Sequence, residues 1–86
     1  MPELCRFRGI VIQLYYSDHA RPHFHARHNE HSVTVGINDL VPYKGSLPSR
    51  DWRLVRAWAI ARRHELLEAW ERAERKQDPG KIDPLD

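Results

Sequence analysis

The stretch His23-Phe24-His25-Ala26-Arg27-His28-Asn29-Glu30-His31-Ser32-Val33-Thr34-Val35-Gly36-Ile37 decides the fold. Apolar and polar residues alternate on both sides of Asn29-Glu30, the pattern of two half-buried strands joined by a tight turn. Asn at the first turn position tolerates the positive φ that a two-residue hairpin needs. Folding there sets His28 opposite His31, Ala26 opposite Val33 and Phe24 opposite Val35, and Ile37 continues that face. This face is predicted to be the core. The other face sets His23, His25 and Arg27 against Gly36, Thr34 and Ser32 and is polar throughout. His23 and His25 are therefore predicted to stand off the core, with Cα atoms ~6.5–7 Å apart on one side of the strand. Gly36, across from His23, is expected to leave space for a ligand. His28 and His31 are expected to be solvated at the hairpin tip.

Outward from the hairpin, residues 7–16 are rich in β-branched and aromatic side chains and apolar on both faces, as a central strand is. Ser17-Asp18-His19-Ala20-Arg21-Pro22 reads as a polar loop, and Pro22 favours extended backbone at Arg21. Pro42 and Gly45 restrict any fourth strand to a short or edge position. The second half reads as one long helix over residues 50–76, within a segment spanning 46–77. Ser46 or Ser49 is placed to cap it, Pro48 suits its first turn, and Asp78-Pro79-Gly80 stops it. At 1.5 Å per residue such a helix runs about 40 Å. Trp52, Val55, Ala59, Leu66, Trp70 and Ala73 lie near one stripe. The first half is expected to pack on the sheet and the last turns to project. Ala57-Trp58-Ala59-Ile60-Ala61 is apolar all round, more than one sheet face covers. This points to a homodimer or partner contact through the helix, over Trp58 or Ile60. The tail, residues 78–86, is expected to fold back through Ile82 and Leu85. The prediction is one α+β domain over residues 1–86. Residues 1–45 would form a three- to four-stranded antiparallel sheet, packed by one long C-terminal helix.

Eighty-six residues leave no room for a dinucleotide-binding fold, and a chain this short has a modest stability margin. The net charge of +2 is too mild to argue nucleic-acid binding by itself, although 11 of the 14 basic residues are Arg, the better bidentate partner for phosphate. Cys5 is the only cysteine, so neither an intrachain disulfide nor a paired-Cys zinc or redox motif is available. No apolar run approaches a membrane span and the N-terminus carries no signal-peptide core, so a cytoplasmic protein without membrane contact is expected.

Five of the six histidines lie between His19 and His31, and histidine is the side chain that binds metals and moves protons near neutral pH. His23 and His25 can chelate a divalent metal such as zinc if a third ligand comes from nearby, and His19 or Asp18 in the preceding loop are the candidates. Arg27, on the same face, disfavours a bare metal site. His23, His25 and Arg27, with Arg21 close by, suit a phosphate instead. Two histidines at a phosphodiester can also serve as general base and general acid. A polar face without a ligand is the remaining reading. At helical spacing, Trp52, Trp58 and Trp70 read as core residues before partner anchors. P-loop, GxGxxG, HExxH and GxSxG signatures are absent.

Several segments carry a family resemblance. They are Arg6-Phe7-x-Gly9-Ile10-Val11-Ile12, Tyr16-x-Asp18-His19-x-x-Pro22-His23-Phe24-His25, Gly45-Ser46-Leu47-Pro48, Glu68-x-Trp70-Glu71 and Lys81-Ile82-x-Pro84-Leu85. Together they resemble a bacterial family of short proteins, the domain-of-unknown-function family 4160, over nearly the whole chain. Asn29 stands where that family often has Gly, and Asp39-Leu40-Val41-Pro42 departs from its usual turn. The resemblance implies a small accessory protein, often encoded beside another small protein in an arrangement like a toxin–antitoxin pair. It assigns no activity to individual residues. The leading expectation is a cytoplasmic binding or regulatory module of such a gene pair, with a protein partner from the neighbouring gene and nucleic acid as a second kind of partner. A divalent-metal-binding protein using His23 and His25, and a small histidine-dependent ribonuclease, stay open as alternatives.

Overall fold

The computed structural model describes residues 2–18 and 20–85. The central hairpin forms in the predicted register. Its strands, β3 (His23–His28) and β4 (His31–Gly36), pair Phe24 with Val35, Ala26 with Val33 and His28 with His31. Asn29 takes the left-handed φ of 56° that closes the turn. Phe24, Ala26, Val33, Val35 and Ile37 are at most 2% exposed. Each large side chain buried in this way stabilises the fold by roughly 1.5–3 kcal/mol.

Among the described residues the sheet has five strands, not three or four, in the order β1-β2-β3-β4-β5 and all antiparallel. The extra strand comes from the N-terminus. Residues 7–16 are not one strand, because the chain reverses at Arg8-Gly9 between β1 (Glu3–Phe7) and β2 (Ile10–Gln13). Arg8 and Gly9 have φ of 52° and 82°, the two positive values of a tight hairpin turn. A Cβ on Gly9 would also press to 2.8 Å from His28 Nε2. Ile10 and Ile12 of β2 join the core, and Val11 is buried as well although it lies on the opposite face, where its ladder partners are Arg6 and Arg27. The fifth strand, β5 (Pro42–Ser46), lies at the edge, as Pro42 requires, and all five of its residues are exposed.

The long helix is two helices, α1 (Ser49–Ala61) and α2 (Arg63–Glu74). Arg62 leaves helical geometry, with φ −111° and ψ 15°. Neither Pro nor Gly stands at this bend. The Arg62 guanidinium instead donates to the carbonyls of Asp83 and Pro84 at 3.0 and 2.9 Å, and the Trp58 indole donates to Asp83 O at 2.9 Å. The returning tail is thus clamped over the break. Hydrogen bonds from Arg62 N to Trp58 O and from Leu66 N to Arg62 O keep the two helices in near-continuity. Both segments reach the core, so the last turns do not project: Val55, Trp58 and Ala59 are buried from α1, and Leu66, Ala69 and Trp70 from α2.

Helix ends differ from expectation as well. Ser46 belongs to β5 and Ser49 is the first helical residue, while Pro48 is the N-cap and no side chain caps the end. At the other end Lys76 turns left-handed (φ 62°), and Gln77 N and Lys76 N donate to Arg72 O and Ala73 O. This is a Schellman closure formed before Asp78 is reached. Ile82 docks the tail by donating its N–H to Leu4 O at 2.8 Å, whereas Leu85 stays 46% exposed. Trp58 is fully buried by its own chain, 6.0 Å from the Phe24 ring and 5.9 Å from that of Phe7. Ile60 is 51% exposed. Among the described residues no helix is long and apolar enough to cross a membrane.

Candidate functional site

The helices cover one face of the sheet, and the other face carries His23 and His25. His25 and Arg27 project there from β3, Gln13 from β2, and Ser32 and Thr34 from β4. Tyr15, just past β2, brings its ring to 4.8 Å from that of His25, and its hydroxyl donates to Gln13 Oε1 at 3.0 Å. A shallow open groove of about 350 Å³ runs between Gln13, Tyr15, His25, Arg27 and Ser32. Arg27 is exposed at its rim. Thr34 Oγ1 lies 3.3 Å from His25 Nδ1, which fixes the ring plane. Burial, then the charges of His23 and Lys44, hold the His25 imidazole below its ordinary pKa. Its neutral form is favoured.

His23 does not stand free as expected. It is 7% exposed. The ladder between β2 and β3 ends at Gln13 and His25, so beside His23 the sheet lacks its β2 neighbour. Trp70 of α2 comes within 5.1 Å of the His23 ring there, and Tyr43 of β5 within 6.4 Å. His23 Nδ1 also lies 2.8 Å from the Arg21 carbonyl, which accepts its proton in the matching tautomer. His25 meets His23 edge-on at 5.2 Å. The result is a row of rings across the sheet, Tyr15, His25, His23 and Tyr43. Arg21 closes its end, with the guanidinium carbon 4.1 Å from the Tyr43 ring centre.

The space predicted beside Gly36 is already taken. The Asp39 carboxylate fills it, accepts from Val41 N at 3.1 Å and faces Arg21 at 3.6 Å. Asp18 is exposed and accepts a hydrogen bond from Tyr16, whose hydroxyl pKa is raised by burial and then by Asp18. His19 lies outside the described residues. Among the described residues, no group of three or more His, Cys, Asp or Glu is placed to hold a metal ion.

His28 is a second departure. Instead of being solvated, it is half-buried, and its Nδ1 lies 2.8 Å from Asp51 Oδ2. Asp51, in the first turn of α1, is 8% exposed. This pair ties the hairpin to the helix. His31 is exposed, 3.8 Å from Glu30. Sequence reasoning missed Tyr15, Tyr43 and Trp70 as neighbours of the histidines. Tyr15 had a local signal, two residues beyond Gln13 on the same side of the chain. Trp70 had none, since it arrives from the far end of the second helix.

No curated protein and no solved structure matches the chain. Residues 9–71 match one family, and this stretch holds the Gly9 turn, the four strands that follow it, all of α1 and most of α2. It leaves out Arg6-Phe7 and the Lys81-Ile82 tail. The chain belongs to the family described as Domain of unknown function (DUF4160).

Proposed function

We propose that the chain is a small cytoplasmic binding module that takes single-stranded nucleic acid on the outer face of its sheet. The observation that carries this reading is the ring row from Tyr15 through His25 to Tyr43, flanked by Arg27, Lys44 and Arg21 on an uncovered sheet. Nucleobases stack on such rings irrespective of sequence, while guanidinium and ammonium groups follow the phosphates. A neutral His25 is an added stacking surface and hydrogen-bonding partner. The Gln13 and Ser32 side chains offer further polar contacts to a base edge.

Burial of His23 weighs against a pair of histidines passing protons at a phosphodiester, because general acid and base must both reach the substrate. A regulatory role within a toxin–antitoxin-like gene pair is one that such a module serves well, and co-purification with the neighbouring gene product tests that partner. The sheet face itself is tested by fluorescence anisotropy with a labelled oligonucleotide of about ten nucleotides, within the range one such surface covers. Tyr15→Ala and Arg27→Ala should each weaken binding while leaving the circular dichroism spectrum unchanged. Zinc alone serves as the control ligand. Zinc binding without oligonucleotide binding would replace this reading with the metal one.

A further inference from the structure

We infer that two copies of this chain associate through the outward faces of α1 and α2, packed antiparallel about a two-fold axis between Ile60 and Ala61. The outward face of the helix pair has three zones. Arg50 and Arg53 stand exposed at one end, Ile60 and Ala61 in the middle, and Glu68 and Glu71 at the other end. Arg53 lies seven residues before Ile60, and Glu68 lies seven residues after Ala61. Arg50 and Glu71 lie ten residues out on the same two sides. An antiparallel copy centred on Ile60 and Ala61 therefore sets Arg53 against Glu68 and Arg50 against Glu71, twice over. Steps of three, seven and ten residues keep one face of a helix in line with a partner. A two-fold contact requires this kind of self-complementarity.

Helix electrostatics point the same way. Cations are unfavourable near a helix N-terminus and anions near a C-terminus. Arg50 and Arg53 occupy the first turns of α1, and Glu71 and Glu74 the last turn of α2. Each cluster sits at the end where its own helix disfavours it. Asp51, the acid of the first turn of α1, is held by His28. Arg72, the base of the last turn of α2, donates to the Pro79 carbonyl. Glu68 has His64 as an intrachain neighbour at 3.3 Å, an ion pair only while that imidazole is protonated. Among the described residues Arg50, Arg53 and Glu71 have no ion-pair partner within the chain, so a second copy supplies their counter-charges and covers Ile60, which is 51% exposed.

Analytical ultracentrifugation tests the inference. The wild-type mass should rise from monomer towards twice that value with concentration at low salt, and fall back as salt screens the pairs. Arg53→Glu and Glu68→Arg should each stay at monomer mass, because each sets like charges opposite one another at both sites. Their equimolar mixture should regain the dimer, since in the mixed pair every position 53 meets an opposite charge at position 68. Helix content by circular dichroism checks that both variants fold. A wild type that stays monomeric, a dimer that either variant leaves intact, or a mixture no heavier than its components would overturn the inference. Neither the sheet face nor any oligonucleotide enters this test.

Discussion

On the inner face of the β3–β4 hairpin, Phe24, Ala26, Val33 and Val35 are at most 2% exposed and meet the helices. On the outer face of the same strands His25 is half-buried, Arg27 and Ser32 are exposed, and His23, Thr34 and Gly36 are covered. One alternation produces both surfaces, but different constraints hold them. Each inner residue is fixed by its neighbours' volumes. The outer residues are fixed by rings, a hydroxyl and charges, and the groove between them stays open to a ligand. Stability is therefore concentrated on one face of the hairpin, and recognition is free to use the other.

Substitutions on the two faces should separate these roles. Val35→Asp, the largest expected effect, puts a carboxylate into the core and should cost more than ~4 kcal/mol, enough to leave so small a chain unfolded by circular dichroism. Asp51→Ala strips the half-buried His28 of its partner and should lower the urea midpoint by the equivalent of about 1–3 kcal/mol. That result would show the hairpin tip to be pinned to α1. An unchanged midpoint would return His28 to the solvated class.

A smaller effect is expected from pH. His25 has its pKa lowered in the folded chain, so the unfolded chain binds the proton more readily below about 6.5. Stability from this group is present above that pH and declines as the pH falls through the lowered value. His25→Gln should flatten that decline in thermal melts taken between neutral and mildly acid pH. Arg27→Ala, the smallest, should move stability within about 0.5 kcal/mol either way, since the side chain is exposed. A large loss there would mean that the outer face supports the fold and is not reserved for a ligand.

Local pattern made the hairpin legible. Asn29 marked its turn, and the two-residue period of Phe24, Ala26, Val33 and Val35 selected the inner face. The stripe from Val55 to Trp70 likewise marked the buried side of the helical half. Residues 7–16 misled because the turn signal was Gly9 alone, with Arg8 taking a positive φ that its own side chain does not favour. The bend at Arg62 has no sequence signature, since its contacts are with Asp83 and Pro84 more than twenty residues away. At the candidate site, the side assigned to His25 and Arg27 followed from alternation. The burial of His23 by Trp70, the filling of the Gly36 space by Asp39 and the capture of His28 by Asp51 all depend on distant chain segments that a local period cannot place.

The outer face as a recognition surface is tested most directly by amide NMR during titration with a short single-stranded oligonucleotide. The account predicts shifts concentrated at Gln13, Tyr15, His25, Arg27, Ser32 and Lys44, with α1 and α2 unmoved. Shifts confined to the helices, or none at saturating oligonucleotide, would contradict it.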